Sequence, residues 1–142
     1  MLTDITGLTP MLKAENLEET ISFYTQTLGF TVESVMDDDN GKPNWVSLKW
    51  GSAGLMFFSI DAVDDMSTRP TMTGVLYFNP NDVAGLWEEL RGKTQVEWEL
   101  QTMPYGMREF AIRDCNGYIL TFGQDVNEKP KSREWPPRAG TC

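Results

Sequence analysis

Asn16-Leu17-Glu18-Glu19-Thr20-Ile21-Ser22-Phe23-Tyr24, followed by Leu28-Gly29-Phe30, is the stretch from which the fold is read. Asn16 is a helix cap, and Glu18 and Glu19 fall in the first turn, where unpaired backbone N–H groups favour negative charge. Leu17, Ile21, Phe23, Tyr24 and Leu28 recur at helical spacing, and Gly29 ends the element. Upstream, Ile5 to Lys13 reads as an extended segment whose Pro10 suits an edge position or a strand end. Downstream come Phe30 to Val35, a polar turn from Asp37 to Pro43, and two strands, Trp45 to Trp50 and Gly54 to Ile60, joined at Gly51-Ser52. The order is β-α-β-β-β.

The same order then recurs. After a loop from Asp61 to Pro70, Thr71 to Asn79 reads as a strand, and Asn81 caps a helix carrying Val83, Leu86, Trp87 and Leu90 on one face. Gly92 stops that helix, and strands follow at Gln95 to Leu100, Met107 to Arg113 and Tyr118 to Phe122. Asp114-Cys115-Asn116-Gly117 forms the last hairpin turn. A repeat at roughly 65 residues marks an internal duplication. The expected fold is therefore α+β: two tandem βαβββ modules, about residues 5–60 and 71–124, in one domain spanning 1–125. Residues 126–142 are polar and proline-rich, and are expected to form a tail draped over the domain or a neighbouring subunit.

Composition excludes several functions. There is no histidine, so no activity that needs an imidazole ligand or base is available. Lys plus Arg number 12 against 21 Asp plus Glu, a formal charge of -9. Such a surface repels nucleic acid and anionic membrane and attracts cations. Two readings stand: simple solubility, or an acidic receptor for a cationic ligand. No apolar run nears the roughly 18 residues of a membrane span, and the start shows no signal-peptide pattern. Cys115 and Cys142 make no CxxC pair, which points to a reducing cytoplasm.

Two stretches carry a resemblance to a known family. The segment Asn16 to Tyr24 with Leu28-Gly29-Phe30 resembles the first-helix motif of the vicinal oxygen chelate superfamily of glyoxalase I, extradiol dioxygenases, and fosfomycin- and bleomycin-resistance proteins. Pro104-Tyr105-Gly106-Met107-Arg108-Glu109-Phe110-Ala111-Ile112-Arg113-Asp114, then Asn116-Gly117 and Phe122, resembles the closing segment of the bleomycin-resistance branch. The resemblance covers about residues 5 to 124. It implies a curled mixed sheet around a cavity with helices outside, and a homodimer, because such cavities often take modules from two chains. Strand parity agrees independently: Val46, Leu48 and Trp50 oppose Ser47 and Lys49, and Phe110 and Ile112 oppose Glu109 and Ala111. Leu76 and Phe78 likewise oppose Val75, Tyr77 and Asn79, and Leu120 and Phe122 oppose Thr121.

In metal-dependent members of that superfamily four inner-face side chains, drawn from His, Glu and Gln, hold the ion. Carried over one by one, those positions fall at Thr9, Met56, Val75 (Gly74 if the register slips) and Thr121, none of them a competent ligand in a catalytic site. No metal or other cofactor is therefore expected. The candidate ligand-binding set is Trp45, Ser47, Met56, Phe58, Tyr77, Tyr105, Glu109 and Thr121. The aromatic and sulfur-bearing members offer faces to flat organic molecules, or else belong to an ordinary core. Tyr105, in the Met103-Pro104-Tyr105-Gly106 loop, reads as a residue of the cavity mouth. Glu109 either receives a cationic group or is satisfied by an arginine or a backbone amide. Glu97 and Glu99 share a face opposite Val96, Trp98 and Leu100, either adding acid to the cup or facing solvent. Three function classes follow: a metal-free small-molecule binder, a metal-independent enzyme with Glu109 or Tyr105 as acid or base, and an interaction protein whose cup is filled by its own side chains.

Overall fold

Residues 3–60 and 69–126 are described by a computed structural model of the chain. The first module runs β1 (Met11–Ala14), α1 (Leu17–Ser22), β2 (Thr31–Asp37), β3 (Pro43–Trp50) and β4 (Ala53–Ser59). The second runs β5 (Leu76–Phe78), α2 (Val83–Leu90), β6 (Gln95–Thr102), β7 (Met107–Arg113) and β8 (Ile119–Asp125). Each module forms a four-stranded sheet, ordered β1-β4-β3-β2 and β5-β8-β7-β6. The first strand of each module lies parallel to the last, and the other neighbours are antiparallel. The two tandem βαβββ modules of the α+β fold are thus present, with the same connectivity in both.

The decisive first helix forms as its residues dictate. The Asn16 side chain accepts the Glu19 N–H at 3.0 Å, and Leu17 and Thr20 are buried. The helix then widens into a π-helical stretch, Phe23–Leu28, which Gly29 closes in a left-handed conformation at φ 95°. Several boundaries differ from the sequence reading. The first strand begins at Met11 rather than Ile5, although the Pro10 carbonyl still accepts the Met56 N–H at 2.9 Å. The fifth strand is only three residues long rather than running from Thr71 to Asn79. Asp82, not Asn81, caps α2: its side chain accepts the Gly85 N–H at 3.0 Å, while the Asn81 carbonyl accepts from the Gln124 amide. The expected tail lies beyond the described residues, save for Val126.

One apolar cluster joins the modules. Val46, Leu48, Leu55 and Phe57 of the first sheet and Phe110, Ile112, Leu120 and Phe122 of the second are buried together with Leu17, Tyr24, Leu28, Val83, Trp87 and Leu90 from the helical segments. Aromatic contacts bridge the halves: Phe30 meets Phe78 at 6.1 Å and Trp50 meets Phe122 at 6.0 Å between ring centres. Since side chains alternate along a strand, the opposite face of each sheet points away from this shared core. Those inner faces carry the candidate residues.

Candidate ligand site on the inner sheet faces

On the first sheet, four expected residues meet. Trp45 pairs across the strands with Phe58, and Ser47 pairs with Met56. The parallel first strand sets Met11 beside Met56 and Lys13 beside Phe58. An irregularity in β2 between Val32 and Ser34 brings Ser34 opposite Ser47, and the Ser47 hydroxyl donates to Glu33 Oε1 at 3.1 Å. This wall is aromatic and thioether-rich, with polar groups at its β2 side.

On the second sheet three of the other four, Tyr77, Thr121 and Glu109, fall in two rows, and Tyr105 reaches them from the loop between β6 and β7. Tyr77, Thr121, Ala111 and Trp98 lie side by side across β5, β8, β7 and β6. Gly123, Glu109 and Gln101 form the neighbouring row. The hydroxyl end of Tyr77 occupies the space that a Cβ on residue 123 would need, so only glycine lets the ring lie across the sheet toward Glu109. The Tyr105 hydroxyl donates to Glu109 Oε1. Glu109 is 2% exposed, whereas Tyr77 is 42% and Tyr105 44% exposed. Burial pushes the Glu109 carboxyl up from its ordinary value, and burial followed by the nearby Glu109 charge pushes the Tyr77 phenol up. Among the described residues, no lysine or arginine forms an ion pair with Glu109.

Sequence parity placed Trp98 with Val96 and Leu100 on the apolar face. The structure corrects this. A bulge between Val96 and Trp98 advances β6 by one residue and sets Trp98 opposite Ala111 on the inner face. The regular alternation through this segment contains no sign of a bulge, so composition alone misses Trp98. Its indole Nε1 and the Thr121 hydroxyl are buried without a hydrogen-bond partner among the described residues. Glu97 is held by Arg113 through contacts of 2.6 and 3.1 Å, so it adds no free carboxylate to the cup. Glu99 and Arg108 are exposed. The sequence does mark Gly123, a glycine inside an apolar strand, which signals a close approach by another group.

The two half-sets lie on opposite sides of the shared core. A concavity of 240 Å³ among the described residues is lined instead by Glu15, Asn16, Glu18, Asp38, Lys42 and Ser59, among others. The positions that carry metal ligands elsewhere in the resembled superfamily do not suit an ion. Thr9 and Val75 precede their strands, Met56 lies on the first sheet and Thr121 on the second. Hydroxyls, a thioether and an alkyl group are no donor set for a divalent catalytic cation. Among the described residues no group of three or more His, Cys, Asp or Glu could hold a metal. None of their helices is long and apolar enough to cross a membrane.

Comparison with known proteins agrees with the fold. The family model of the Glyoxalase/Bleomycin resistance protein/Dioxygenase superfamily matches residues 9–122. The chain resembles a glyoxalase/bleomycin resistance protein/dioxygenase from Nocardioides, with a TM-score of 0.74 at 16% identity, covering 95% of this chain and 93% of that one. A glyoxalase-related enzyme from Clostridium phytofermentans gives 0.70 at 20% identity, covering 87% and 98%. TioX from Micromonospora sp. ML1 gives 0.67 at 14% identity, covering 85% and 99%. No curated protein matches significantly. At these identities the structural likeness speaks for the fold alone.

Proposed function

The chain belongs to the glyoxalase/bleomycin resistance protein/dioxygenase superfamily, and on that premise we propose that it is a metal-free small-molecule-binding protein of the bleomycin-resistance type, sequestering a flat cationic organic molecule. The observation that carries this reading is Glu109, a buried carboxylate to which, among the described residues, a tyrosine hydroxyl donates and with which no cation pairs. A buried, unneutralised carboxylate is costly, and a ligand cation removes that cost. Tyr77 and Tyr105 supply ring faces beside the charge, where a cation–π contact contributes on the order of 0.5–2 kcal/mol. Trp45, Ser47, Met56 and Phe58 form the second wall, supplied by the partner in a symmetric homodimer, so that each cup takes one sheet from each chain. The protein works in the cytoplasm, in keeping with the free thiol of Cys115.

Binding follows the ionisation of Glu109. Burial raises its pKa in the free protein, and a bound cation draws it back down. Affinity is therefore full above the free-state pKa and is lost as pH falls through it. Thermal unfolding with graded concentrations of cationic aromatics, such as proflavine, tests the reading. Saturable stabilisation supports it, and a Tm that no such compound moves contradicts it. Elemental analysis is expected to find no stoichiometric transition metal. About one zinc, nickel, manganese or iron per chain, with ligand binding lost on chelation, contradicts the metal-free assignment.

A second reading has its own observation. The Tyr105 hydroxyl on Glu109, whose pKa is raised, is also the arrangement of a general acid–base pair. Chromatography of the bound compound after incubation separates the two: a recovered, unchanged ligand fits sequestration, and conversion that Glu109→Gln abolishes fits catalysis.

A further inference from the structure

The unpartnered groups of the second sheet point to a further property of the ligand. Trp98 and Thr121 flank Ala111 in one row across β6, β7 and β8. Ala111 is fully buried and has only a methyl group, so it forms a small floor between two larger side chains. The indole N–H is a donor only, the hydroxyl is a donor and acceptor, and neither has a partner among the described residues. Buried polar groups are nearly always satisfied, so two orphans in one row, on the face already argued to hold the ligand, are aimed at something absent from the protein itself.

We infer that the ligand carries a hydrogen-bond acceptor oxygen, a carbonyl or phenolate, which the Trp98 indole N–H and the Thr121 hydroxyl bind. The inference rests on the reading of the inner face as a cation site and adds a second polar contact to it. Glu109 and Ala111 are two residues apart on β7, a distance of about 7 Å along a strand. The ligand class is thus an aromatic with an ammonium group about 7 Å from a carbonyl or phenolate oxygen. A donor pair beside a carboxylate also rejects two kinds of molecule. A purely hydrocarbon cation leaves the donors unmade, and an acidic aromatic meets Glu109.

The test uses two probes with one aminoalkyl side chain, an aminoalkyl anthraquinone and the corresponding aminoalkyl anthracene, titrated into the full ¹⁵N-labelled protein. The anthraquinone is expected to bind roughly tenfold more tightly, the worth of about one net hydrogen bond. The Trp98 indole proton, identified by its loss in Trp98→Phe, is expected to move downfield with the anthraquinone and to stay in place with the anthracene. Thr121→Val, which keeps the side-chain shape, should shrink the preference without abolishing binding, and provides a second variant if Trp98→Phe does not fold. Equal affinities with an unmoved Trp98 indole signal overturn the acceptor inference while leaving the cation receptor standing; a structural water held between the two groups gives that same result. Failure of both probes to bind overturns the receptor reading and the inference with it.

Discussion

Tyr24 and Asp114 stand 90 residues apart, yet the Tyr24 hydroxyl donates to Asp114 Oδ2 at 2.6 Å in a buried contact. Asp114 Oδ1 accepts the Asn116 and Tyr118 N–H groups at 2.9 and 2.8 Å, shaping the last hairpin. Asn116 in turn donates to the Thr20 hydroxyl at 3.0 Å and accepts the Glu15 N–H at 3.1 Å. The two stretches that carry the family resemblance are therefore one interlocked structure, and their residues pin the first helix to the second module. Removing the phenol in Tyr24→Phe is expected to lower unfolding free energy in urea by about 1.5–3 kcal/mol, the range for a hydrogen bond to a charged group. The substitution should also flatten the alkaline limb. Burial and Asp114 hold the Tyr24 pKa well above the ordinary value, so its stabilisation is complete below the unfolded phenol pKa of about 10 and is lost as pH rises beyond it. Wild type should lose stability more steeply above pH ~10 than Tyr24→Phe; parallel curves contradict this role.

At the scale of elements, alternation was a sound guide wherever the ladders are regular. In β3, β7 and β8 the faces read from Val46, Leu48, Phe110, Ile112, Leu120 and Phe122 are the ones that build the shared apolar core. It fails at β6, because one irregularity between Val96 and Trp98 turns Trp98 to the other face and a second, between Trp98 and Gln101, restores the register, neither altering the pattern of residue types. The first strand also starts later than its apolar residues imply: Ile5 and Leu8 are exposed and lie outside the sheet. The cap falls at Asp82 rather than Asn81: both are good caps, and Gln124, which accepts the Val83 N–H and donates to the Asn81 carbonyl, holds the start of the helix in place. The approach of Tyr77 over Gly123 is half legible: the glycine inside the strand signals that some group comes close, and nothing local identifies that group as Tyr77. Gly123→Ala should displace the Tyr77 ring. In a double-mutant cycle with Tyr77→Ala, the two changes are expected to couple by at least about 0.5 kcal/mol in stability. Strict additivity means that the ring does not rest there.

For the whole molecule, the decisive question is what completes the cup. The first-sheet and second-sheet residues lie on opposite sides of one core, and Met11, Val35, Met36, Val75, Tyr77 and Tyr105 leave large apolar groups exposed. In the proposed homodimer, a second copy related by a two-fold axis would close both walls at once and cover such surface. Light scattering at micromolar concentration should give twice the chain mass; a monomer contradicts the two-chain cup. The formal charge of -9 draws cations from a distance, whereas in the proposed site Glu109 would act only in contact. Salt separates the two effects, since the screening length falls from about 10 Å at 0.1 M to about 3 Å at 1 M, while a buried pair is screened far less. The most direct measurement is therefore the affinity of wild type and Glu109→Gln for a cationic aromatic and its neutral isostere at 1 M salt, followed by tryptophan fluorescence. Wild type should prefer the cation, and Glu109→Gln, which keeps the shape and loses the charge, should bind it roughly ten- to a hundredfold more weakly with the neutral isostere unaffected. Equal binding of the cation by both proteins, or a wild-type preference for the neutral compound, would contradict the account.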